Sequence, residues 1–399
     1  MTDLLRTLDD EPDTPCRVDI SAAIAAARKK RRLRRGVAGT SAAVVTVAAS
    51  AAGFALARPV AAPTPPVIPA TAGPSGPAPA PPAITACELS RLPVPDGEPM
   101  ALVSGADPTG AWIVGRTYPE AGGYQAVIWH DGEVAKVALP GDLEESLRDV
   151  NGRGTAVGWS YAAYGPVPYA YHDGEVTRLA EAGEALAINE NGRIAGDDGR
   201  GRAVVWESAG AAPVTLPVPA GTTTSQARDV DLDGTVAGSL DLDTPYVWRP
   251  DGTHGALPMP EIGGTPAAVA QVFRISNGWA VGMASSSTLK DKEKKEASGA
   301  RERVYAARWN LRTGTAEITG ELTHPADAVN AYGWQTGTDA DGYAVVVTGE
   351  DTIRLPGLGR HDPGGNATIA TTISDDGGIV AGQSDDESGT IQAVVWQCR

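Results

Sequence analysis

A motif of the form A-I-N-x-x-G-x-I-V-G, A-V-V-W, L-P-x-P recurs from Ala101 to the C-terminus and constrains the fold more than any other feature of this chain. Aligned on the glycine of the I-V-G element, the copies bring Gly115, Gly158, Gly196, Gly238, Gly282, Gly337 and Gly382 into register. The aromatic of the second element is Trp129, Tyr171, Trp206, Trp248, Trp309 and Trp396, with Val346 or Val347 in the sixth copy. Leu-Pro follows at 139–140, 216–217, 257–258 and 355–356. The last copy ends just after Trp396, and its missing piece, Cys87-Glu-Leu-Ser-Arg-Leu-Pro-Val-Pro95, stands before the first copy.

Each copy divides into four short apolar segments, in the third copy 185–188, 193–195, 203–206 and 214–218. Turn chemistry separates them: Asn189-Glu-Asn-Gly192, Asp197-Asp-Gly-Arg200, and elsewhere His130-Asp-Gly-Glu133 and Pro250-Asp-Gly-Thr253. Four strands per repeat with a period near 40 residues specify propeller blades, and the i, i+3, i+4 stretches of a helical solenoid are missing. The predicted fold class is therefore all-β, a seven-bladed β-propeller closed by an N-terminal strand, since the seventh copy supplies only three strands and Cys87–Pro95 the fourth. Such closure removes free sheet edges. The same alignment puts Cys87 and Cys398 side by side and predicts a disulfide between them.

The copies resemble the HAF-type repeats of bacterial extracellular proteins, with their A-I-N-x-x-G-x-V-V-G and A-F-x-W pattern. The resemblance spans the region from Cys87 onward; the HAF triplet itself is replaced by Gln-Ala-Val at 125–127, Tyr-Ala-Tyr at 169–171 and Arg-Ala-Val at 202–204. It implies a surface-exposed propeller and supplies no catalytic residue.

Four regions follow from composition. Residues 1–36 read as a cytoplasmic tail with a basic flank, Arg28-Lys-Lys-Arg-Arg-Leu-Arg-Arg35. Residues 37–57 are uncharged and mostly apolar, long enough for one transmembrane helix. The positive charge before them predicts an N-terminus inside and a C-terminus outside the cell membrane. A cleaved signal peptide ending at Ala55-Leu-Ala57 is the rival reading. Residues 58–83 carry ten prolines and read as a disordered, extended linker. Residues 84–399 are the expected extracellular propeller.

That last region holds 23 basic and 43 acidic side chains, a balance that disfavours nucleic acid as a partner. No cofactor motif, metal-ligand cluster or catalytic signature stands in the chain. Asp229-Val-Asp-Leu-Asp-Gly234 opens like a calcium loop, but its twelfth position is Leu240 and it coincides with a turn present in every blade.

If strands run A to D outward, the B–C and D–A loops share one face, where propellers commonly bind. The second B–C loop carries Trp159, Tyr161 and Tyr164; others carry the acid pairs Asp197 and Asp198, Asp241 and Asp243, Asp339 and Asp341, and Asp385 and Asp386. Aromatics and acids together suit a carbohydrate or cationic ligand, whereas Asp is also an ordinary turn residue. The expected role is binding or scaffolding at the cell surface, with a wall polymer or exported protein as partner. An extracellular enzyme acting on glycan or peptide, and a sensor signalling through the short tail, are the alternatives.

Overall fold

The computed structural model describes residues 83–399 except 121–122, 142–143, 163–164, 182, 289–302, 350 and 362–366. The tail, the apolar segment 37–57, nearly all of the proline linker, Tyr164 and the Lys/Glu-rich insertion 289–296 lie outside the described residues. Among those described, no helix is long and apolar enough to cross a membrane.

Seven four-stranded antiparallel sheets follow one another along the chain, spanning 101–137, 145–178, 185–215, 225–256, 269–318, 328–354 and 368–398. In blades 1 to 6 the strands lie in sequence order, which we label A to D from the channel outward. Blade 7 takes strands A to C from Thr368–Ile373, Ile379–Asp385 and Ile391–Cys398, and its outer strand is Cys87–Arg91. That strand pairs antiparallel with the C-terminal one, Cys87 opposite Cys398 and Arg91 opposite Val394. Cys87 and Cys398 form a disulfide with an S–S distance of 2.06 Å.

The core is divided into seven clusters, one at each junction between neighbouring blades. One of them joins Ala101, Val103 and Trp129 of blade 1 to Ala381 and Ala393 of blade 7. Trp129, Trp206, Trp309 and Trp396 are among the largest fully buried side chains.

Each element of the repeat has a physical task. In five blades the strand C tryptophan sends its indole N–H to the Leu-Pro segment, or its equivalent, of the preceding blade: Trp129 to the Pro93 carbonyl (2.7 Å), Trp206 to Ala180 (3.2 Å), Trp248 to Pro217 (2.6 Å), Trp309 to Pro258 (2.8 Å) and Trp396 to Pro356 (2.8 Å). A buried N–H thus finds an acceptor that no sheet uses. In blade 2 Tyr171 occupies the tryptophan's register position opposite Ala156, but the hydroxyl that reaches Pro140 belongs to Tyr169, two residues earlier on the same strand. The sixth copy places Val347 there, opposite Gln335.

The I-V-G glycine answers a β-bulge. Strand A carries one extra residue in six blades, for example between Leu147 and Asp149 and between Ala227 and Asp229. The bulge drives a strand A carbonyl into the facing residue of strand B. A Cβ on Gly238 would stand 1.8 Å from the Gln226 oxygen, and one on Gly158 1.9 Å from that of Ser146. In blade 6 the corresponding Gly337 faces Leu322 instead. There the Thr323 amide bonds to the Thr338 carbonyl (2.8 Å) and the Asp327 amide to Thr336 (3.0 Å), and residues 324–326 loop out between them. Pro325 has no N–H to offer strand B.

The turn asparagines tie the A–B turns into a belt. Asn189 accepts the amides of Asn191 and Arg193 on Oδ1 (3.0 Å each), while its Nδ2 donates to the Asp231 carbonyl of the next blade (2.9 Å). Asn151 reaches Asn189 (3.2 Å) and Asn330 reaches Ser374 (3.3 Å) in the same manner. The Asp231 carboxylate accepts the amides of Asn277 and Gly278 (2.8 Å each), and Asn277 Nδ2 donates to Ala331 (3.2 Å). The Asp375 amide completes the passage from blade 7 to blade 1 at the Pro108 carbonyl (2.7 Å). The calcium-like run 229–233 therefore works as an inter-blade joint.

Candidate functional site

The bulges that force the glycines also re-aim a side chain in each blade, the usual consequence of an extra strand residue. The bulged residues are Ser104, Arg148, Leu186, Arg228, Phe273 and Thr371. Arg148, Leu186, Arg228 and Phe273 line a cavity of about 410 Å³ in the channel. Arg274, directly after the bulge of blade 5, and Asp327 of blade 6 complete its charged wall, with His324 and Thr338 beside them. Leu186 and Ile369 come from the first half of their inner strands and Thr338 from the end of strand B in blade 6. Arg148, Arg228, Phe273 and Arg274 stand just past the middle of theirs, so the cavity extends from mid-channel toward the B–C and D–A side.

Three guanidinium groups from blades 2, 4 and 5 thus share one space. Arg274 donates to the Ser104 carbonyl of blade 1 at 3.5 Å, and Arg228 lies over the Phe273 ring, 5.6 Å from its centroid. Burial, then the charges of Arg274 and Arg228, bring the Arg148 pKa down to about 10. Burial and Arg274 lower that of Arg228 as well. Among the described residues, no carboxylate oxygen lies within 4.0 Å of any of the three.

The acids of the channel have other commitments. Asp149 Oδ2 accepts the Ile188 amide of blade 3 (2.8 Å), and Asp229 Oδ2 accepts the Ile275 amide of blade 5 (2.8 Å). Burial pushes Asp149 up to about 7, with the Asp229 charge adding to it, and pushes Asp229 up to about 6. Asp327 is raised by burial to about 7, with Arg274 acting against the shift. Nearer the mouth, Glu184 and Asp197 are also raised, chiefly by burial.

Of the residues singled out from sequence, Trp159 and Tyr161 lie within strand B of blade 2 rather than in its B–C loop, and Asp197 and Asp385 end their strands. The other described acids lie in B–C loops, and none of the described residues singled out lines the cavity. Trp159 and Tyr161 meet edge to face at the end of strand B of blade 2, ring centroids 5.2 Å apart. The buried Trp159 Nε1 has no hydrogen-bond partner among the described residues. Asp197 receives the Gly199 amide (2.7 Å) and interacts electrostatically with Arg228. The other acids mostly brace their own loops. Asp198 accepts the Arg200 and Arg202 amides (2.9 and 3.1 Å) and pairs with Arg202 Nε (2.6 Å). Asp241 takes the Thr223 and Thr224 amides (2.8 Å each), and Asp243 the Thr244 hydroxyl (2.8 Å). Asp339 caps Asp341 and Tyr343 (2.9 Å each) and, with Asp341, pairs with Arg354. Asp386 accepts the Ser388 and Thr390 amides (2.9 and 3.2 Å) beside half-buried Asp385.

No family model and no curated protein matches this chain. Among solved structures it is similar to the WD40 repeats of RRP9 (11% identity, 79% of this chain and 100% of that one, TM-score 0.48). It is also similar to a virginiamycin B lyase from Staphylococcus aureus (10%, 77% and 99%, TM-score 0.48) and to the Pan2 WD40 domain of Neurospora crassa (12%, 79% and 95%, TM-score 0.47). At this identity and overlap the likeness says nothing of ligand or activity.

Proposed function

We propose that the chain is a cell-surface binding module. In this reading residues 37–57 anchor it by a single span with the N-terminus inside, the proline linker holds the propeller away from the membrane, and the ring, closed by its N-terminal strand, receives its ligand at the B–C and D–A face. A wall polymer or an exported protein is the partner expected there. The observation that carries the reading is the channel cavity, built from side chains that the blade repeat does not require. A volume of about 410 Å³ is within the range of small-ligand sites.

Capture tests it. Purified full-length chain is immobilised and incubated with cell-surface extract, alongside a variant with Arg148→Gln and Arg228→Gln. Material retained by the wild type and lost by the variant supports a binding module that uses the channel. Equal retention by both moves the binding site off the channel. Protease accessibility of the propeller on intact cells checks its location, and full protection contradicts the anchored, outward display.

The raised carboxyls favour one other reading, an extracellular hydrolase or lyase. Asp327 is the acid that lines the cavity, and its carboxyl lies in the range of a general acid near neutral pH. Chemically altered extract with nothing retained, together with loss of that conversion in Asp327→Asn, would replace the first reading with this one.

A further inference from the structure

We propose that the channel cavity binds a small oxyanion ligand, a phosphate ester or a polycarboxylate, through Arg148, Arg228 and Arg274. The inference deepens the binding-module reading by naming the ligand class of the same site.

Three observations converge on it. The first is how the arginines of this protein are partnered. Exposed Arg202 and Arg354 pair with Asp198 and Asp339, and half-buried Arg193 and Arg308 with Glu207 and Glu317. Arg148 and Arg228 are half-buried as Arg193 and Arg308 are, yet neither side chain donates a hydrogen bond to any described residue; outside the channel, half-buried Arg249 likewise leaves its Nη1 without a partner among the described residues. A guanidinium keeps its charge at any physiological pH and offers five N–H donors in a planar fork. Glu184, Asp197, Asp149, Asp229 and Asp327 act on these groups only at longer range, none in ion-pair contact, and an oxyanion with several oxygens would reach and bridge the three guanidinium groups directly.

The second is the disposition of the nearby acids. Asp149 and Asp229 present oxygens to the amides of the following blade, and neither lines the cavity. Asp327 is the single carboxyl among the lining residues; burial raises it, with Arg274 opposing, and favours its neutral, proton-donating form. The cavity is therefore cationic within a domain whose overall balance is strongly acidic. That contrast suits one small anion and opposes a long polyanion such as nucleic acid, which the rest of the surface would repel.

The third is shape. Leu186, Phe273 and Ile369 give the cavity apolar surface between the charged groups, while Thr338 stands at its side. A ligand with a short carbon skeleton and two or more oxyanion groups meets both kinds of wall. Arginine recognises carboxylate and phosphate by the same paired hydrogen bonds, so the two anions are to be separated by experiment.

The experiment is titration calorimetry on the purified full-length chain with citrate, glycerol 3-phosphate and, as neutral control, glucose, at constant ionic strength. Saturable binding of one or both anions and none of glucose is expected, and the preferred anion identifies the head group. The double variant Arg148→Gln with Arg228→Gln is expected to weaken binding at least ~10-fold, the scale of losing charge-assisted hydrogen bonds. Arg148→Lys with Arg228→Lys keeps the charge, loses the fork, and should fall between; it serves if the glutamine variant fails to fold. Absence of binding by both anions overturns the proposal, as does unchanged affinity in a folded variant. Retention of cell-surface material without anion binding would spare the binding-module reading and remove only the oxyanion. Anion binding without any surface ligand would do the reverse.

Discussion

The A–B turns and the channel of the ring are built by opposite rules. At the A–B turns, asparagine and aspartate side chains bond to the backbone of the next blade at the junctions from blade 2 to blade 7. In the channel beyond them, the inner strands deliver arginines that have no ion-pair partner among the described residues into a shared space. The belt is repetitive because every junction poses the same problem of stray amides and carbonyls. The channel lining is irregular, with different side chains at the same inner-strand position around the axis, as the proposed ligand site requires.

The comparison can be tested on both sides. The largest effect is expected from Gly238→Ala, whose methyl would meet the Gln226 carbonyl; a loss of about 3–5 kcal/mol in urea unfolding is anticipated. A loss below 1 kcal/mol would mean that the bulge relaxes easily and does not fix the channel side chains. Next, replacing Cys87 and Cys398 by serine opens a loop with a sequence separation of 311 and should cost about 2–4 kcal/mol, the usual range for disulfides and below the chain-entropy limit of about 5–6 kcal/mol. Comparing denaturant midpoints of oxidised wild type and the double variant measures it. Trp309→Phe keeps most of the packing but leaves the Pro258 carbonyl without its donor, for a loss of about 1–3 kcal/mol.

The channel should behave otherwise. The folded-state pKa of Asp327 is raised, so the native state holds a proton that the unfolded chain gives up. Stability associated with this group is present below the unfolded pKa near 4 and is lost as pH rises toward about 7. Asp327→Asn should match the wild type in unfolding free energy near pH 4 and exceed it at pH 8, by roughly 1–3 kcal/mol, as measured by urea unfolding at each pH. A constant difference across that range would refute the assignment. The smallest effect is expected from Arg148→Gln, within about 0.5 kcal/mol of wild type or slightly stabilising, because a like-charge repulsion is removed. A large destabilisation there would make Arg148 part of the scaffold and erase the distinction between the turns and the channel.

The scaffold was legible because most motif letters stand for a bond that recurs from blade to blade. The Trp with its Leu-Pro acceptor, or the equivalent of that acceptor, returns in five blades and the glycine crowded by a strand A carbonyl in six, in the same order within each copy. The cavity's own residues were not legible, since Arg148, Arg228, Phe273 and Asp327 are those that do not repeat. One signal could have found them. With the copies aligned on the first turn residue, the position three places earlier reads Ser104, Arg148, Leu186, Arg228, Phe273, Asp327 and Thr371. Inside otherwise small and apolar inner strands, a column that mixes charged, aromatic and aliphatic residues marks the side chains free to do something other than pack. The acid pairs drew attention because they are exposed in a linear reading, whereas most of their oxygens are taken up by amides of their own loops.

The position of the disulfide has a mechanical consequence. Cys87 is the first residue of its strand, and its partner is the last residue of the strand it pairs with. A pull entering from the N-terminal side reaches a covalent bond before it reaches the strand's own hydrogen-bond ladder. The outer strand of blade 7 therefore cannot be peeled residue by residue from that end, and tension is handed directly to the C-terminal strand. A ring joined to the rest of its chain in this way can bear load at its seam and leave the charged channel undistorted.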